Sequence, residues 1–291
     1  MTTVERPGWV DGELYPYEDR WAEVDGCTVH YVDEGAGPPL LMLHGNPTWS
    51  FTWRGVIDRV RNRFRCIALD YPGFGLSGPA AREGYRYLPR EHARIVASFV
   101  EQLDLRDATM LFHDWGGPIA MWAAAQAPER YHGFAIGNTW AWPANKSVSA
   151  QIFSRSLGGP LGRYLIKHHN IFVNRIIPSA TKRVGPDARV MDQYRGPFPT
   201  AESREPVAVL PGAIVGETDW LREVERGLER IDDKPALLVW PTKDQAFGDA
   251  ERKQWESIFT DHRTVILEGA GHYIGEDAPE EIAEALLGWR A

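Results

Sequence analysis

With 291 residues, 43% of them apolar and 25% charged, the chain has the make-up of a soluble globular protein with a substantial core. Its formal charge of −8 argues against nucleic acid or an anionic membrane surface as a main partner. Two cysteines, Cys27 and Cys66, are too few for a disulfide framework or a cysteine-built metal site, which points to a reducing compartment.

The N-terminal stretch MTTVERPGWVDGELYPYEDR is polar and broken by proline and glycine, unlike a signal-peptide core, so the expected location is cytoplasmic. From residue 27 onward short apolar runs alternate with helical patterns. CTVHYVDEG and PPLLMLHGNP read as adjacent strands, FRCIALDYPGFG as a third, ATMLFHD as a fourth and GFAIGNTW as a fifth. SFTWRGVIDRVRNR and EHARIVASFVEQLDL read as helices between them. After a long interruption, PALLVWPTKD and RTVILEGAGH supply two more strands. This alternation predicts an α/β fold with a mostly parallel central sheet flanked by helices.

The interruption, about residues 140–214, holds short helical pieces (SAQIFSRSL, LGRYLIKHHN, ARVMDQYR, ESREPVAVL) and no run strong enough to join the sheet. It is expected to form an inserted helical cap between two core parts, 1–139 and 215–291. Such a cap covers the carboxyl ends of the strands, where open α/β sheets place ligands, and excludes water from them. Its aromatic richness leaves room for a self-association surface.

Most candidate polar residues fall just after strand-like runs: His44 and Asn46, Asp114 and Trp115, Asp244, and His272. In a parallel sheet these ends share one edge. Taken singly, Asp114 reads as a helix N-cap, Asp244 as a turn residue and His272 as a surface histidine. Taken together, the order nucleophile, acid, base is that of the α/β-hydrolase triad, and three accidents at three strand ends are a poor explanation.

The segments HGNPTWSFTWR, LDYPGFGLS, HDWGGPIA, GNTWAWP and GHYIGEDAP resemble the haloalkane dehalogenases, over nearly the whole chain from about Tyr15 and most weakly in the cap. The resemblance implies an α/β-hydrolase fold, a small halogenated hydrocarbon and water as the reacting partners, and no cofactor or metal. It also implies release of halide, a proton and a primary alcohol. The chemistry explains an aspartate where hydrolases usually carry serine. Serine attacking an alkyl halide would leave an ether that water cannot open, whereas a carboxylate leaves an ester. Asp114 is then the nucleophile, His272 the general base that activates water, and Asp244 the acid that orients the imidazole. Asn138 occupies the place after the preceding strand where some relatives carry that acid.

The departing halide needs donors that do not compete as nucleophiles. The indole N–H of Trp115 and the side-chain amide of Asn46 supply them, and in the family this pair grips the halide. The backbone N–H groups of the same two residues are expected to form the oxyanion hole. Phe112 departs from the family pattern, standing where a small residue usually precedes the elbow. Trp140, Trp142, Phe153, Phe172 and Phe198 are candidates for core packing, with some lining an apolar pocket. Lys167, His168 and His169 read as a solvated surface, because adjacent helical residues face different ways.

An epoxide hydrolase also uses an aspartate nucleophile, with cap tyrosines as proton donors, and Tyr164 and Tyr194 are in the right segment. Asn46 counts against it, since an aromatic usually stands there. Fluoroacetate-type dehalogenases grip a carboxylate with arginines near the nucleophile, and Trp115 to Ala120 contains none. Readings of another class are a cofactor-free luciferase-like oxygenase and a non-catalytic hydrolase-fold binding protein.

Overall fold

In the computed structural model, which describes residues 6–144 and 147–290, eight strands form one sheet. They are β1 (Arg20–Val24), β2 (Cys27–Glu34), β3 (Pro39–Leu43), β4 (Arg65–Leu69), β5 (Ala108–Phe112), β6 (Tyr131–Ile136), β7 (Ala236–Pro241) and β8 (His262–Leu267). Their order is β1-β2-β4-β3-β5-β6-β7-β8; β1 and β2 are antiparallel to their neighbours, and β4 through β8 are parallel. The first five residues of the polar N-terminal stretch and residues 145–146 of the inserted segment lie outside the described residues.

The sheet's centre follows from its sequence. Every residue of β5 and of β7 is buried, as strands covered by helices on both faces must be. At the edge, β8 is mostly exposed or half-buried, which its run RTVIL did not reveal. Helix Gly116–Gln126 packs on Pro89–Gln102 and on Thr218–Gly227, and Arg54–Val60 packs on Pro279–Trp289. Among the described residues, no helix is long and apolar enough to cross a membrane.

Two expectations need correction. The runs that become β2 and β3 are not adjacent, because β4 lies between them. β1 was missed: RWAEV, with Arg20 and Glu23 exposed, carries no continuous apolar run. Its signal lay in the turn, where Asp25 (φ 48°) and Gly26 (φ 76°) join Val24 to Cys27 as a two-residue hairpin, the conformation that Asp-Gly favours.

Between β6 and β7 the chain forms helices Val148–Gly158, Pro160–His169, Phe172–Ile176 (a π-turn running into Ile177–Ala180), Ala188–Arg195 and Glu205–Gly216. The last of these runs past residue 214 and packs on Val148–Gly158. Their crossing is close because two glycines face each other: a Cβ on Gly158 would stand 2.4 Å from the Gly212 Cα.

Candidate active site

Parallel strands bring their carboxyl ends to one edge, and the sequence puts a polar residue after each of β3, β5, β6, β7 and β8. Asp114 follows β5 in a tight turn with φ +50°, uncommon outside glycine and best tolerated by Asp and Asn. The turn is held from several sides. The Asp114 N–H donates to Asn138 O at 3.0 Å, while its carbonyl accepts from Gly117 N at 3.0 Å and from Thr139 Oγ1 at 2.5 Å. Gly117 is required there, since a Cβ would lie 1.9 Å from Thr139 Oγ1. Phe112, the departure from the family pattern, is fully buried at the end of β5. Gly116 is needed where the helix meets β3, since a Cβ there would lie 2.9 Å from the Leu43 carbonyl oxygen.

The following helix, Gly116–Gln126, has no side-chain cap, so Asp114 does not serve as its N-cap. Its carboxylate faces other partners. Oδ1 accepts the Asn46 backbone N–H at 2.8 Å, and Oδ2 lies 3.6 Å from His272 Nε2. On the far side of the imidazole, Nδ1 is 3.0 Å from Asp244 Oδ2. Asp244 in turn accepts the Ala246 N–H at 2.8 Å and the Asn138 amide at 2.5 Å, and that amide also donates to His272 O at 2.8 Å. Asp114, His272 and Asp244 thus form one line, with Asn138 as a brace rather than the acid.

Burial works to neutralise these groups, and their mutual attraction wins. Burial disfavours the imidazolium, yet the Asp244 charge and the bond and charge of Asp114 push His272 up to about 10. Burial likewise disfavours both carboxylates. His272 holds Asp114 below the usual carboxylate range with help from the Asn46 N–H, and holds Asp244 there with help from Ala246 and Asn138. His44, by contrast, is pushed down to about 4 by burial, so it is neutral; its Nε2 accepts the Tyr71 N–H at 3.1 Å and steadies the β3 loop.

Asn46 is 4% exposed, and its Nδ2 donates to Val207 O on the inserted helix at 3.3 Å, leaving one amide hydrogen uncommitted. Trp115 is 2% exposed, and its indole N–H has no protein partner among the described residues. Its ring meets Trp140 edge-on at 4.7 Å. Trp140 stacks on Phe247 at 5.3 Å, and Phe247 stacks on His272. The remaining aromatic candidates pack elsewhere: Trp142 on Trp255, Phe198 on Phe74, and Phe153, 41% exposed, against Phe172. The Lys167 ammonium pairs with Glu205, and His168 and His169 are exposed. Sequence reasoning missed Phe247 and Val207. Phe247 stands three residues after Asp244, close enough to have been considered; nothing local marks Val207.

A family model of the α/β-hydrolase fold matches residues 38–279. The haloalkane dehalogenase 2 of Mycobacterium tuberculosis (strain ATCC 25618 / H37Rv) is 42% identical over 279 residues, which is 95% of this chain and 96% of that protein. The chain belongs to the haloalkane dehalogenases. A haloalkane dehalogenase of Mesorhizobium japonicum is 32% identical, covering 90% of this chain and 87% of its own length. The crystal structure of the haloalkane dehalogenase from Bradyrhizobium elkani USDA94 superposes with a TM-score of 0.84 at 28% identity, over 94% of this chain and 97% of that one. That structure shares with this chain a fold that extends through the inserted helices as well as the sheet.

Proposed function

We propose that this dehalogenase hydrolyses haloalkanes to an alcohol, halide and a proton through a covalent ester on Asp114. The observation that carries the reading is the placement of the Asp114 carboxylate, with Oδ1 on the Asn46 N–H and Oδ2 turned toward His272. Oδ2 attacks the carbon as its bond to halogen breaks. The halide leaves with the bonding electron pair toward the Trp115 indole N–H and the free amide hydrogen of Asn46. Oδ1 becomes the ester carbonyl oxygen.

The first step prepares the second. Esterification removes the Asp114 charge, one of the influences that raise His272. The imidazolium then gives up its proton to solvent, the one proton the reaction releases, and the neutral ring can take one from water. The hydroxide formed attacks Cγ, and the backbone N–H groups of Asn46 and Trp115 stabilise the tetrahedral oxyanion. Collapse breaks the bond between Cγ and the alkyl oxygen. His272 returns its proton to the alkoxide, and the Asp114 carboxyl, now holding one oxygen from water, passes its proton to His272, which restores the resting imidazolium and carboxylate. Asp244 keeps the imidazole oriented throughout. The inserted helices act as the cap that keeps bulk water out. Water is the one co-substrate, and the steps need no cofactor.

Two side chains speak against the epoxide reading. The Tyr194 hydroxyl is committed to Glu276, and Tyr164 is 53% exposed beside His168, so neither is placed to protonate an epoxide over Asp114.

The test is bromide release from 1,2-dibromoethane and 1-bromobutane. Turnover is expected from the parent and none from Asp114→Ala, while His272→Phe accumulates the alkyl ester, visible as a mass increase. In water enriched in oxygen-18, a single turnover should place the label in Asp114 and leave the first alcohol unlabelled. Opening of styrene oxide without bromide release would transfer the site to epoxide hydrolysis.

A further inference from the structure

Helix Glu205–Gly216 carries Pro211 in its interior, buried. In an α-helix the N–H of residue 211 donates to the carbonyl of residue 207, and proline has no N–H. The Val207 carbonyl therefore lacks its helical donor. It is this carbonyl that accepts the Asn46 side-chain amide at 3.3 Å. Asn46 Oδ1 is buried and has no partner, so nothing on the oxygen side fixes the amide. Its orientation rests on the Val207 contact, because turning the amide over would set Oδ1 against a carbonyl oxygen.

We propose that Pro211 is a positioning residue for the halide site: by leaving the Val207 carbonyl free, it holds Asn46 with its amide nitrogen toward the leaving group. The proposal rests on the dehalogenase reading. A flipped amide would face the departing halide with a carbonyl oxygen and repel it. The helical defect in the cap and the polarity of the site beneath are thus one device. It joins residues 165 positions apart through a single carbonyl.

The experiment is bromide binding, followed through quenching of tryptophan fluorescence, for the parent, Pro211→Ala, Asn46→Ala and the double variant. Alanine restores an N–H at 211 and is the best helix former, so the helix itself is strengthened. Bromide affinity is expected to fall about 5- to 10-fold in Pro211→Ala, the worth of one hydrogen bond. Pro211→Leu, which brings the same N–H and fills more of the ring's space, should match it. In the Asn46→Ala background the change at 211 should have no further effect. Parent-like binding by both 211 variants, or an equal extra loss in the Asn46→Ala background, overturns the proposal. A parent that neither binds nor releases bromide overturns the dehalogenase reading and the proposal with it, an outcome distinct from the first two.

Discussion

Phe247 lies against the face of the His272 imidazole, ring centroids 5.9 Å apart and planes inclined by 25°. One loop after β7 thus supplies both the carboxylate on the imidazole's edge, Asp244, and the ring on its face. Stacking of this kind fixes the ring plane and so the aim of Nε2. Phe247→Ala should leave the first burst of halide nearly unchanged and slow ester hydrolysis about 3- to 10-fold. Phe247→Tyr should restore it. Rapid-quench measurement of burst against steady state checks this, and equal slowing of both phases would refute it.

Asn138 adds a second prediction, concerning pH. Its amide is one of the groups holding Asp244 below the ordinary carboxylate range. Without it the Asp244 pKa rises, so Asp244 becomes protonated at a higher pH. Asn138→Ala should move the acid limb of the kcat profile upward and lower kcat about tenfold at its optimum. An acid limb that stays in place, or moves down, contradicts this.

Away from the site, buried His30 lies between two carboxylates, with Nδ1 2.8 Å from Asp70 and Nε2 3.1 Å from Asp19. Burial disfavours its charge, but Asp70 and Asp19 outweigh burial and raise its pKa. Both aspartates are lowered in return. The stability from His30 is fully present below its ordinary pKa of 6.5 and fades as pH climbs toward the raised value. The carboxylates' share holds above their ordinary 3.8 and is lost as pH falls through their lowered values. His30→Gln should therefore cost about 3 kcal/mol near pH 5 and less at pH 9. Urea denaturation at the two pH values decides it; a cost that grows with pH would count against the network.

The inserted helices are tied to the core through Glu276, which accepts two bonds from Arg54, at 2.5 and 2.8 Å, and one from the Tyr194 hydroxyl. Tyr194→Phe leaves the ion pair and removes the tie. It should lower stability by about 1.5–3 kcal/mol, the range for a hydrogen bond to a charged group, while bromide release survives. Loss of activity with unchanged stability would assign Tyr194 to the chemistry instead.

Much of this protein is legible along the chain. Apolar runs announce seven of the eight strands, most clearly β3 to β7, because a buried parallel strand must be apolar along nearly its whole length. The elbow at Asp114 and the residues after β3, β7 and β8 stand out because catalysis at a sheet edge draws on strand ends, which are local features. Tertiary structure decided what no local pattern encodes. Strand order set β4 between β2 and β3. Folding brought Phe247 onto His272, made Asn138 a brace, and closed the distance from Pro211 through Val207 to Asn46. Those relations depend on which loops meet in space, and a carbonyl's freedom in one helix becomes visible only beside the amide that uses it.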